Sequence, residues 1–175
     1  MGAARGLLVV YTGTGKGKTT AALGLLFRGW AQGWRMCVIQ FIKHEAGRWS
    51  EVRTAQELGI EWIKSGDGFT WLSRDLDRTA ERARSAWQLA REKIASGRYH
   101  LVLLDEFTYP LYYGWLSADA VVQWLRSNRP LHTHVIITGR HAPPALVELA
   151  DLVTEMKEVK HPYSQGIAAQ PGIDY

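Results

Sequence analysis

One short stretch constrains this chain more than any other: Gly13-Thr14-Gly15-Lys16-Gly17-Lys18-Thr19-Thr20. It follows an apolar run, Leu7-Leu8-Val9-Val10-Tyr11, and opens a segment of good helix formers that reaches about Ala31. A run that apolar and that short, closed by glycine, predicts a strand buried on both faces. Strand, glycine-rich turn and helix in that order form a cradle for a polyphosphate. Glycines let successive backbone N–H groups curve around an anion, and the helix N-terminus adds unpaired donors with a partial positive charge. Lys18 brings a full charge, and the Thr19 hydroxyl is placed to reach a phosphate-bound magnesium ion. The usual pattern, G-x-x-x-x-G-K-[ST], would put its first glycine where Thr12 stands; here it comes one place later, at Gly13. The loop is therefore a variant.

The remainder alternates between the same two kinds of element. Strands are expected at Arg35–Ile42, Ile60–Ile63, His100–Asp105, His134–Thr138 and Leu152–Val159. Helices are expected at Trp49–Leu58, about Arg74–Ser96, Ser117–Ser127 with Ser117 as N-cap, and Pro143–Ala150. The clearest is the second, where Leu76, Ala80, Ala83, Trp87, Ala90 and Ile94 recur at spacings of four and three and form one apolar stripe. Trp87 is thus a core residue. Ser65–Trp71 has no periodicity and reads as a loop. The fold class that follows is α/β, a mainly parallel sheet with flanking helices. With no repeat, charge block or long linker, the 175 residues are expected to form a single domain, 1–175.

Charge bears on the ligand. A net charge of +4 and a pI near 9.3 suit an anion, but Lys and Arg are scattered rather than clustered, and no nucleic-acid partner is expected. Cys37, the one cysteine, lies in an apolar stretch and reads as a buried, inert thiol. The six histidines are dispersed, and the neighbouring His132 and His134 flank a strand rather than build a metal site. No run approaches the ~20 apolar residues of a membrane span and no signal peptide opens the chain, so a cytoplasmic protein with no membrane association is expected.

Asp105-Glu106 closes a strand of aliphatic residues. An acid there commonly orders magnesium or its water beside a phosphate loop, and Glu106 is the preferred ligand together with Thr19. Several further stretches stand in a particular order: Gln40-Phe41-Ile42-Lys43, Gly68-Phe69-Thr70-Trp71, Asp105-Glu106-Phe107-Thr108-Tyr109, Val135-Ile136-Ile137-Thr138-Gly139-Arg140, and Val159-Lys160-His161-Pro162-Tyr163 through Gly172-Ile173-Asp174-Tyr175. Joined to the glycine loop, they resemble the P-loop class of ATP:corrinoid adenosyltransferases, also called cob(I)yrinic acid a,c-diamide adenosyltransferases, from about Leu8 to Tyr175.

The resemblance implies a RecA-like fold and a homodimer. It implies ATP as co-substrate, Mg2+, a corrinoid as substrate, and a reductase that supplies the electron for cobalt. The reaction would transfer the 5′-deoxyadenosyl group of ATP to cobalt in its +1 state, with triphosphate as leaving group. ATP would lie reversed in the loop, the γ-phosphate taking the usual α position, which would account for the altered glycine spacing. Gly13, Thr14, Gly15, Lys16, Gly17, Lys18, Thr19 and Thr20 would hold the phosphates. Arg28 and Arg140 would add charge. Phe69 and Trp71 would form an aromatic wedge that displaces the lower axial ligand of cobalt and eases its reduction. Relatives often carry asparagine where Thr14 stands, and longer ones carry an N-terminal segment that covers the site. With six residues before its first strand, this chain is expected to lack that cover. The competing functions are a RecA-like ATPase acting on nucleic acid, a small-molecule kinase and a non-catalytic carrier, told apart by whether ADP, triphosphate or no phosphate product appears.

Overall fold

Leu8 and Val10 point to one side of their strand and Val9 to the other, and all three are buried, so both sides of the sheet must be covered. A computed structural model describes residues 5–44, 50–66 and 76–174. The strands are β1 (Leu8–Thr12), β2 (Met36–His44), β3 (Glu61–Gly66), β4 (Leu101–Asp105), β5 (His134–Thr138) and β6 (Leu152–Glu155). They form a six-stranded sheet in the order β3-β2-β4-β5-β1-β6, and every pairing is parallel. The helices are α1 (Lys18–Ala31), α2 (Ser50–Glu57), α3 (Leu76–Ala95), α4 (Thr108–Tyr112), α5 (Ala118–Asn128) and α6 (Pro144–Leu149). The α/β class with a parallel sheet and flanking helices is as expected.

Two apolar layers result. Ala22 and Leu26 of α1 and Ala55 of α2 pack on Val9, Val38, Leu101, Leu103 and Ile136. On the opposite face Trp87, Ala90 and Ile94 of α3, Val121 and Leu125 of α5 and Leu146 of α6 cover Val10, Ile39, Val102, Leu104 and Ile137. Trp87 is a core residue as expected, its ring tilted against Phe107 and edge-on to Trp124. Cys37 is fully buried, and burial pushes its thiol pKa up to about 12, so it is inert. Ser117 caps α5, its side chain accepting from the Ala120 N–H.

Several elements differ from expectation: β3 runs on to Gly66, through Ser65 and Gly66 that were expected in a loop. The helix α4 is five residues long, too short for periodicity to reveal, and it carries Pro110 in its first turn, where a missing N–H costs nothing. The last strand ends at Glu155 rather than Val159. Beyond it, the backbone of Met156 bridges the end of β1 and the glycine loop: its N–H donates to the Thr12 carbonyl at 2.8 Å and its carbonyl accepts from the Gly15 N–H at 2.7 Å. Among the described residues no helix is long and apolar enough to cross a membrane.

Candidate active site

A wholly parallel sheet brings the carboxyl ends of all its strands to one edge, and that edge is where ligands of open α/β sheets lie. Here it collects the glycine loop after β1, Gln40 of β2, Asp105 and Glu106 at the end of β4, and Thr138 and Gly139 at the end of β5. The α1 helix starts at Lys18, directly after the loop, so its unpaired N–H groups open onto the same edge.

The position of the first glycine has a local cause. Thr12 still belongs to β1, and its hydroxyl accepts from the Ala142 N–H at 3.1 Å. The loop turns at Gly13, with φ +97°, and presses on the segment after β6. A Cβ on Gly13 would stand 2.4 Å from the Met156 carbonyl oxygen, and one on Gly15 2.7 Å from the Lys157 carbonyl carbon. Both separations are closer than packed atoms tolerate, so these two places admit only glycine.

Lys18 is 8% exposed. Its ammonium donates to the carbonyls of Gly13 at 2.9 Å and Gly15 at 2.7 Å, folding back over the loop. Burial pulls its pKa below the ordinary lysine value; Glu106 opposes that shift, Arg140 adds to it, and Asp105 opposes it. Arg140, exposed just past Gly139, is thus within electrostatic reach of the cradle. Lys16 forms an ion pair with Asp174, whose carboxylate also accepts from the Gln170 N–H at 2.7 Å. A cavity of about 430 Å³ opens here, lined by Lys16, Gly17, Lys18, Thr19, Thr20 and Glu106, with Gly172, Ile173 and Asp174 on its far wall.

Beneath the cavity lies a network that the sequence did not assign. Asp105 is completely buried and accepts from three side chains. Thr19 Oγ1 reaches its Oδ1 at 2.9 Å, Thr138 Oγ1 the same oxygen at 2.8 Å, and Gln40 Nε2 reaches Oδ2 at 2.7 Å. The Thr138 hydroxyl in turn accepts from the Glu106 N–H at 2.9 Å. Glu106 has φ +59°, a left-handed conformation that a residue with a Cβ adopts only under constraint. A signal was present: Gln40 is a polar residue inside the apolar run of β2, and Thr138 is a polar residue that ends the aliphatic β5.

Of the expected site residues, Gly13, Gly15, Lys16, Gly17, Lys18, Thr19, Thr20 and Glu106 converge. Thr14 is exposed on the loop beside a second cavity that His141 and Glu155 also line. Arg28 is exposed in the last turn of α1, about 15 Å further along the helix than Lys18. Phe69 and Trp71 lie outside the described residues.

Comparison with known proteins adds a second line of observation. Residues 4–175 match the model of a family described as ATP:corrinoid adenosyltransferase BtuR/CobO/CobP. The chain is 42% identical over 173 residues to the corrinoid adenosyltransferase of Escherichia coli K12, an overlap of 98% of this chain and 86% of that one. It is 41% identical over 173 residues to a corrinoid adenosyltransferase from Sinorhizobium sp., covering 98% and 81%. To corrinoid adenosyltransferase CobA of Salmonella typhimurium it is 39% identical over 173 residues, covering 98% and 86%.

Proposed function

This chain belongs to the ATP:corrinoid adenosyltransferase family, and from that premise we propose how its residues divide the work of the reaction. The enzyme transfers the 5′-deoxyadenosyl group of ATP to the reduced cobalt of a corrinoid. The electron pair on cobalt(I) forms a bond to C5′, the C5′–oxygen bond breaks, and triphosphate departs with the bonding pair. The nucleophile belongs to the substrate, so the protein supplies none. Its tasks are to hold the two reactants in line and to stabilise the charge that grows on the leaving group.

The N–H groups of Gly13–Thr19 and the cations Lys16 and Lys18 perform the second task. Arg140 adds charge from the end of β5. Arg28, at the far end of α1, has no part in this proposal. Magnesium suits the donors present: the Thr19 hydroxyl and the Glu106 carboxylate, both oxygen donors, line one cavity. Magnesium takes only one or two protein oxygens and completes its shell with phosphate and water. Thr19 and Glu106 would hold it, and when bound it neutralises charge on the phosphates. Asp174 pairs with Lys16, and a bound triphosphate would compete for that cation. ATP is proposed to lie reversed, with C5′ directed out of the cradle towards the corrinoid, and Phe69 and Trp71 to sit beneath the corrin. One domain, 1–175, would carry these functions, working as a cytoplasmic homodimer that receives its electron from a separate reductase.

The observation that carries this proposal is that a chain alike over nearly its whole length to enzymes of that name holds its phosphate loop open to a cavity on the edge expected for it. Incubation with ATP, magnesium and chemically reduced corrinoid tests it. Triphosphate and a light-sensitive cobalt–carbon bond are expected; ADP as the nucleotide product would overturn it in favour of a kinase or ATPase.

A further inference from the structure

On the α1 face of the sheet, Val38 and Leu103 continue an apolar stripe that stops at the carboxyl edge in two polar residues. Gln40 and Asp105 are register partners on β2 and β4, and neither exposes any surface. Gln40 Nε2 donates to Asp105 at 2.7 Å, but no donor among the described residues reaches Gln40 Oε1. The amide cannot be turned round to relieve this, because its carbonyl would then face a carboxylate oxygen. A buried acceptor without a donor is costly, and a leucine here would continue the stripe at no such cost. The arrangement lacks one donor, and it is tied through Asp105 to Thr19, which lines the cavity.

We propose that Gln40 is a positioning residue for adenosyl transfer: its N–H holds Asp105 so that Asp105 fixes the Thr19 hydroxyl, and its Oε1 accepts from a water that arrives with the hydrated magnesium–ATP. Because Thr19 gives its proton to Asp105, its oxygen lone pairs are left for the cation. Magnesium sheds its waters reluctantly, so a site built for it must also seat its water shell. This proposal rests on the phosphate-cradle assignment, and the test separates the two.

The probe is Mn2+, its binding to the enzyme–ATP complex followed by electron paramagnetic resonance. Gln40→Met keeps the length of the side chain and removes its hydrogen bonds. It is expected to weaken Mn2+ binding about tenfold, while ATP binding in the presence of a chelator stays unchanged. In a Thr19→Val background Gln40→Met should weaken Mn2+ binding less than it does alone, because the part of its action that passes through that hydroxyl is already gone. Wild-type Mn2+ affinity in Gln40→Met, or effects that simply add in the double variant, would overturn the proposal. Should Gln40→Met fail to fold, Gln40→Asn retains the amide but falls short of Asp105. It should weaken Mn2+ binding as well, and unchanged binding there would be equally fatal. A wild-type enzyme that bound no Mn2+–ATP at all would instead bring down the cradle assignment.

Discussion

Lys18 shows how much one residue's surroundings alter its chemistry. A solvated lysine holds its proton well above neutrality, but burial lowers the Lys18 pKa from its ordinary 10.5. Phosphate binding needs the charged form. As pH rises through the lowered value the ammonium is lost, so ATP affinity should fall at a pH where an ordinary lysine is still charged. Titration calorimetry across the alkaline range checks this. Lys18→Arg, whose guanidinium keeps its proton, should move that loss to higher pH, and Lys18→Ala should abolish ATP binding. Retained binding in Lys18→Ala would undo the cradle assignment. Gly13 and Gly15 illustrate a different residue-level constraint. Their glycines could be read as freedom to curve around an anion. The structure adds that the segment after β6 leaves no room for a side chain, since a Cβ at Gly13 would meet the Met156 carbonyl oxygen at 2.4 Å.

At the scale of elements, the segment after β6 is the least expected part of the fold. It leaves the sheet at Glu155, lies along the loop through Met156, and returns over the cavity at Gly172–Asp174. Its side chains are mostly exposed, among them Val159 at 91% and Tyr163 at 82%, so few contacts with the core hold it. The ion pair between Lys16 and Asp174 is one of its ties to the cradle. Lys16 and the Gln170 N–H hold the Asp174 carboxyl below the usual carboxylate range. A triphosphate competes with that carboxylate for Lys16. Asp174→Asn removes the competitor and should tighten ATP binding, by about two- to fivefold, the range of an exposed ion pair. Weaker binding in Asp174→Asn, measured by the same calorimetry, would mean that the carboxylate serves the bound state instead.

Considered whole, the molecule uses a parallel sheet to set a charged cradle at one edge and leaves the reactive cobalt to its substrate. Phe69 and Trp71 belong to this scale because their proposed role concerns the substrate's redox state rather than any contact within the described residues. Phe69→Ala and Trp71→Ala should reduce turnover more when the assay starts from cobalt(II) corrinoid than from cobalt(I) prepared chemically. Equal loss in the two assays would count against a wedge. Much of this molecule could be read from its sequence. Aliphatic runs closed by glycine or acid marked the buried strands, the stripe through Trp87 marked α3, and Gly13–Thr20 marked the turn from β1 into α1, because each of these depends on residues adjacent in the chain. The helix α4 was too short to produce a period. Asp105's role as the hub under Thr19, the partnership of Gln40 with Asp105, and the pairing of Lys16 with Asp174 were decided only in three dimensions. Those contacts join residues 86, 65 and 158 positions apart, and only sheet register and the return of the last segment bring them within hydrogen-bonding distance.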